Sequence, residues 1–401
     1  MELPTLTAYD TNGVGARTTL IRTWRMLWVV GLLILSGCFR VSGNSTYSGP
    51  PQRPDSMNQY YSPSQSYRGF REDIEHTTDD YTHKRITIDS YAGPIQVDYF
   101  QATKPSDSLV LVFPVLGGKN FIEKHMARYF VESGLDAAIV NRSNEFKDPT
   151  KFDELEDVFR MNIIRDRLAI SFFEAEYGKR QFGTFGISRG AINVALTAGV
   201  DSRLTYNVLV MGGTDLVDLF RDSNQARIEK YIKSVSENKG FTEEEFFAAL
   251  RKQLKTDPKN TAKYIDSKNT LLILGIFDKT VPFTYGLRLR EQIGRPETVF
   301  LFADHYLGLL FTQTVSFIPP SKEETGIFPF PYIEQEAVSF YKRSFGDGFN
   351  WKLLPFRIVQ FPLNLVAEGV AEVGSAIEWL FTSSDEKPEA STDDEGPWKP
   401  A

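Results

Sequence analysis

Residues 181–199 read QFGTFGISRGAINVALTAG. Residues 182–187 are apolar and β-leaning, and residues 189–198 follow a small-residue helical pattern, so the stretch predicts a strand turning directly into a helix. The junction is Gly186-Ile187-Ser188-Arg189-Gly190, a G-x-S-x-G turn. In such a turn the serine sits in a strained conformation, and a side chain at either glycine would collide with the neighbouring strand or helix. The helix N-terminus also favours negative charge beside the serine. A serine in a glycine-rich turn is a nucleophile only if the rest of the chain supplies a base and an acid.

Outward from this turn the sequence alternates strand and helix. Residues 83–91 and 94–102 alternate polar and apolar positions around Ala92-Gly93, a hairpin signal. Short apolar runs at 108–113, 135–140, 206–211, 270–276 and 297–302 predict strands. Residues 119–133, 153–177 and 282–293 carry helical patterns. This order predicts an α/β fold with a mainly parallel sheet and helices on both faces. Residues 215–268 are helical and charged without a strand signal, too long for a loop, and are expected to cap the C-terminal edge of the sheet, where ligands bind in open α/β folds.

That edge is where a base and an acid are required. His305 follows the last predicted strand, in LFADHYLGL, and Asp278 follows the strand before it, in GIFDKTVP. The order Ser188, Asp278, His305 is that of a serine hydrolase in which His305 is the base and Asp278 orients it. Asp215, in MGGTDL, is the alternative acid or else a helix N-cap. Asp304 adjoins His305 too closely to orient it and reads as a turn residue. His76, His83 and His125 lie on the opening strands or a helix face and are not expected to act. The oxyanion donors are expected to be the backbone N–H of Arg189 and that of Val115 or Leu116, in FPVLGGKN, where Gly117-Gly118 permit close approach. The Arg189 side chain could contact an anionic substrate group, but reads first as a solvent-facing or helix-surface charge.

The segments GISRG, GIFDKTVP and ADHYLG resemble the nucleophile, acid and histidine segments of the α/β-hydrolase superfamily over residues 83–315. The resemblance implies an eight-stranded, mostly parallel sheet and hydrolysis of a carboxylic ester through an acyl-Ser188 intermediate. Pro114-Val115 departs from the His-Gly that many members carry in the oxyanion loop. The same residues would serve a peptidase or a thioesterase, and a non-catalytic envelope lipoprotein using the fold for binding is the reading from a different class.

Composition narrows the field. A net charge of −7 argues against nucleic-acid binding, and one cysteine in the whole chain excludes an intrachain disulfide and thiolate metal sites. No cofactor or metal motif is present. Arg17, Arg22 and Arg25 precede an apolar run at 26–35, and Leu35-Ser36-Gly37-Cys38 resembles the lipobox of bacterial lipoproteins. The resemblance implies a signal peptide at 1–37, acylation of Cys38 and a membrane location; the alternative is an ordinary membrane anchor with an incidental cysteine. Phe39, in place of the Asp that retains lipoproteins at the inner membrane of enteric bacteria, leans toward the outer membrane. Residues 38–75 are expected to be a flexible linker, rich in Ser, Pro, Gly, Asn and Gln over 40–70. The hydrolase core is expected at 76–320 and a helical extension at 321–382, where Val366, Val370, Val373, Ile377 and Leu380 mark an amphipathic helix. Residues 383–401 are expected to be a disordered acidic tail. The expected partners are a small-molecule or lipid ester and the membrane.

Overall fold

The computed structural model describes residues 38–116, 121–308, 331–346, 348, 350–354, 357, 364 and 396–398. The signal segment, Gly117-Gly118 and the amphipathic pattern at 366–380 lie outside the described residues.

Ten strands form one sheet: β1 (Cys38–Val41), β2 (Gly69–Thr77), β3 (Tyr81–Asp89), β4 (Ile95–Ala102), β5 (Ser108–Phe113), β6 (Ala137–Val140), β7 (Gln181–Ile187), β8 (Leu204–Val210), β9 (Thr270–Gly275) and β10 (Glu297–Leu301). Their spatial order is β1-β10-β9-β8-β7-β5-β6-β4-β3-β2. The six strands from β6 to β10 in that order are parallel, flanked by antiparallel β4, β3 and β2 on one side and antiparallel β1 on the other. The expected count of eight is therefore corrected to ten in a mixed sheet; the added strands are β1 and β2.

Alternation along the central strands builds two cores. In β5, Leu109, Leu111 and Phe113 face one layer, while Val110 and Val112 face the other. The described α-helices longer than one turn are α1 (Asp55–Tyr60), α2 (Phe121–Glu132), α3 (Leu155–Tyr177), α4 (Arg189–Val200), α5 (Leu216–Asp222), α6 (Ala226–Lys239), α7 (Glu243–Gln253), α8 (Phe283–Ile293) and α9 (Tyr332–Phe345). Helices α3, α4 and α8 bury Phe172, Val194 and Leu289 on the first face, and α2 and α9 bury Phe130, Val338 and Tyr341 on the second. Helix α9 thus packs on the same face of the sheet as α2, so the packing of this face continues past residue 320. Tyr341 lies where a Cβ on Gly183 would be, 2.7 Å away, and its hydroxyl donates to the Thr184 carbonyl at 2.5 Å.

Residues 38–75 are not a free linker. Phe39 stacks on Phe300 at 4.9 Å, and β1 pairs along β10 with Cys38 opposite Leu301. Met57 and Tyr61 are fully buried against the cap. Arg53 donates to the carbonyls of Gly199 (2.8 Å) and Ala198 (3.1 Å), orphan groups at the C-terminal end of α4, and to that of Tyr264 (2.9 Å). A few anchor side chains hold a segment whose average composition is that of a tether. The same holds at the other terminus. Trp398 is buried 5.4 Å from the Tyr60 ring and 5.1 Å from Tyr61, so the expected disordered tail is corrected at Gly396–Trp398.

Helices α5, α6 and α7 form the expected helical insert. Leu216, Leu219, Val235, Phe246 and Leu250 pack against Leu155 and Ile163 of α3 and Ile192 and Leu196 of α4. Asp257, fully buried, fixes the entry to α5: its Oδ2 accepts from the Leu216 N–H at 2.7 Å and its Oδ1 from the Lys259 N–H at 3.0 Å. Among the described residues no helix is long and apolar enough to cross a membrane.

Two stability measurements follow from these contacts. Arg53→Ala is expected to lower the unfolding free energy in urea by about 2–3 kcal/mol, the scale of charge-assisted bonds to buried carbonyls; a change under about 0.5 kcal/mol would restore the tether reading. Burial pushes the Asp257 carboxyl up from 3.8 to about 6. The folded state then binds this proton more tightly than the unfolded state, so its contribution is full below the unfolded pKa and is lost as pH rises through the folded pKa. The stability of the wild type relative to Asp257→Asn is expected to fall by up to about 3 kcal/mol between pH 4 and pH 7; a flat difference would contradict the shift.

Candidate active site

Ser188 joins β7 to α4 with φ +56° and ψ −122°, a conformation that few non-glycine residues adopt. Its N–H donates to the Val210 carbonyl at 2.8 Å, tying the turn to β8. The flanking glycines have the steric role expected of them. A Cβ on Gly186 would lie 2.2 Å from the Gly190 carbonyl carbon, and one on Gly190 would lie 2.5 Å from the Phe113 carbonyl oxygen.

Asp278 and His305 meet at the same edge of the sheet. Asp278 sits in the turn after β9, and His305 opens a short helical turn after β10. Their Oδ2 and Nδ1 atoms are 2.7 Å apart, and both residues are buried. The second carboxylate oxygen, Oδ1, accepts from the N–H groups of Thr280 and Val281, each at 2.9 Å. An acceptor carboxylate at Nδ1 favours the tautomer with the proton on Nδ1, which leaves Nε2 as the basic nitrogen. Among the described residues no hydrogen bond joins Ser188 to His305; such contacts are commonly loose before substrate binds.

The alternative acid is elsewhere. Asp215 is left-handed, at φ +55°, and its carboxylate lies 3.5 Å from Arg288 Nη1. It occupies the N-cap position of α5 without a side-chain capping bond. The other histidines pair away from this edge. His125 Nε2 is 2.9 Å from Glu334, His83 Nε2 is 3.0 Å from Asp98, and His76 lies on the exposed edge strand β2.

The oxyanion loop requires a correction. The Val115 N–H donates to Glu123 Oε1 at 2.6 Å and is therefore spent. Glu123 is buried in the first turn of α2, and its burial raises the carboxyl pKa. Leu116 is the remaining candidate; it lines the cavity beside Ser188 and Arg189. No sequence pattern pointed to Glu123, which lies eight residues beyond Val115 in the helix that follows.

A cavity of about 440 Å³ lies between Ser188, the N-terminal part of α4 and the helical insert. Its walls are mainly apolar, with Phe159, Ile192, Leu219, Phe220 and Ile228 among them. Arg189 also lines it, which corrects the solvent-facing reading. The guanidinium lies 3.8 Å from the Phe146 ring centroid, and burial, with Arg142 nearby, pushes its pKa down to about 9. Arg189 is still a cation at neutral pH. Among the described residues no group of three or more His, Cys, Asp or Glu could hold a metal ion.

Comparison with solved structures shows which fold this site sits on. Acetyl xylan esterase 1 from Thermoanaerobacterium aligns over 65% of this chain and 91% of its own, with a TM-score of 0.50 at 15% identity. An acetyl xylan esterase from Paenibacillus aligns over 63% and 94%, with a TM-score of 0.47 at 15% identity. An esterase from Pyrococcus furiosus aligns over 75% and 97%, with a TM-score of 0.42 at 14% identity. No family model matches the chain, and no curated protein matches it. The fold is of the α/β-hydrolase type that esterases use.

The elbow geometry gives a direct test. Gly190→Ala would press a methyl group against the Phe113 carbonyl oxygen at 2.5 Å. It is expected to cost about 2 kcal/mol or more in thermal or urea unfolding, as other overpacked sites do. Unfolding like that of the wild type would show that α4 does not need this close approach.

Proposed function

We propose that the chain is a serine hydrolase of carboxylic esters. The observation that carries this is the Nδ1–Oδ2 contact of 2.7 Å between His305 and Asp278, at the sheet edge that also holds the strained Ser188. In this reading His305 Nε2 takes the Ser188 hydroxyl proton as Oγ attacks the ester carbonyl. Asp278 stabilises the imidazolium that forms. The N–H groups of Arg189 and Leu116 hold the oxyanion, and His305 then returns the proton to the departing alcohol. Water activated by the same imidazole releases the acid from Ser188. The apolar cavity supports an ester with an apolar portion.

The membrane reading belongs to the same proposal. A lipid on Cys38 would hold the enzyme at a bacterial membrane surface, with the outer membrane favoured by Phe39. The lipobox-like residues 35–38 support it, as do the exposed aromatic side chains of Phe277, Phe302 and Tyr306 near the strand end that Cys38 pairs with.

Turnover of acyl esters is expected to fall by a factor of about 10³ or more in Ser188→Ala and by about 10²–10⁴ in Asp278→Asn, with Ser188 labelled by a fluorophosphonate in the wild type only. Equal hydrolysis by wild type and Ser188→Ala would overturn the nucleophile assignment. Replacing Cys38 by Ala should move the protein from the membrane to the soluble fraction; retention would reject lipidation as the anchor.

A further inference from the structure

The wall of the cavity next to Ser188 holds a cation that nothing in the chemistry above uses. Arg189 is half-buried and stacks on Phe146, and among the described residues it forms no ion pair. Leaving a guanidinium in a mainly apolar wall without an anion is costly. The two carboxylates whose fields reach it, Asp166 and Glu123, each have one oxygen engaged elsewhere, while Asp166 Oδ1 and Glu123 Oε2 have no hydrogen-bond partner among the described residues. Asp166 is paired with Arg142 and accepts from the Thr197 hydroxyl at 2.8 Å, while Glu123 holds the Val115 N–H.

Two more donors in the same wall lack partners. Asn193 is 5% exposed, and its Nδ2 has no hydrogen-bond partner among the described residues. The Nε of Arg142, whose side chain is 4% exposed, has none either. Both residues line the cavity with Arg189. A guanidinium without an ion pair in this wall, with two unfilled N–H donors buried in residues of the same lining, is the group that an oxyanion entering the cavity would pair with. Lys147 and Arg227, exposed in the lining of the same cavity, add positive potential.

We infer that the ester accepted by Ser188 carries a carboxylate, bound by Arg189 with Asn193 and Arg142 beside it. The inference rests on the serine-ester reading and names its substrate class. A carboxylate matches the planar fork of a guanidinium, and its single charge matches the one half-buried cation of the described lining that has no ion pair. A phosphate monoester would bring nearly two charges. The apolar remainder of the cavity fits the hydrocarbon part of such an ester.

The test uses the full-length protein and substrate pairs that differ only in one end group. On the acyl side these are p-nitrophenyl pentanoate and the mono-p-nitrophenyl ester of glutarate; on the alcohol side, phenyl acetate and 3-carboxyphenyl acetate. In at least one pair the carboxylate member is expected to have a kcat/KM about tenfold or more above its neutral partner, the scale of one charge-assisted contact. Arg189→Met should reduce that ratio to near one, and Arg189→Lys should keep part of it. Glutarate, titrated calorimetrically into Ser188→Ala, should bind, and Arg189→Met in that background should abolish binding. Turnover with no carboxylate preference, or a preference that survives Arg189→Met, would overturn the inference and leave the esterase reading standing. Glutarate binding through Arg189 without turnover of any ester would overturn the esterase reading, and with it the ester as the ligand, and leave Arg189 as a carboxylate site only.

Discussion

Helix α4 can approach β7 and β5 as closely as it does only because Gly186 and Gly190 have no Cβ. Methyl groups at these two positions would fall 2.2 Å from the Gly190 backbone and 2.5 Å from the Phe113 carbonyl. Two consequences follow from that one approach. The chain must turn so sharply between strand and helix that Ser188 is forced to φ +56°, which presents its side chain at the sheet edge. The first free N–H groups of α4 then lie beside that side chain, where negative charge is best stabilised. Strain at Ser188 is sustained by the rest of the fold: β7 is paired on both sides, by β5 and β8, and α4 is buried along its length.

The other groups reach the same edge because the strands are parallel. Parallel strands end on one side, so the turns after β7, β9 and β10 converge without long loops. Asp278 is then locked by two backbone N–H groups, leaving one oxygen for His305. The loop after β5 uses a different device. A buried carboxylate, Glu123, takes up the Val115 N–H and thereby fixes the loop that offers Leu116. At Pro114-Val115 a side chain from the next helix thus holds the loop.

The legible parts of the sequence were those with strong periodicity or forced stereochemistry. The elbow could be read because the glycine spacing encodes a steric requirement, and the central strands because burial on both faces makes them continuous apolar runs. The order of Asp278 and His305 followed from the strand order. The illegible parts depend on contacts far apart in sequence. Strand β2 is exposed along nearly all its length, so no alternation marks it. Strand β1 is four residues long, and its partner β10 lies more than 250 residues away, as the Arg40–Glu297 pairing shows. Arg53, Met57 and Trp398 are single anchors in polar surroundings, and composition averages them away. The spending of Val115 on Glu123 and the inward position of Arg189 are side-chain facts that no spacing rule contains.

The N-terminal strand also constrains any anchor attached to it. Arg40 pairs with Glu297 of β10 and with Glu336 of α9, at 2.5 Å in the second case, and Glu297 and Glu336 in turn pair with Arg343 and Arg357. The Arg40 side chain is only 12% exposed, so this network is less screened than a surface pair. It clamps β1 to the last strand and to the helix behind it. Cys38 sits opposite Leu301 in that ladder, and Leu301 lies four residues before His305. Four residues span at most about 14 Å of extended chain. Under the proposed lipidation, the anchored residue and His305 would therefore sit at neighbouring points of one sheet edge. The membrane would then fix the orientation of the site, and a substrate would enter from the membrane surface without first crossing a flexible stalk's length of solvent.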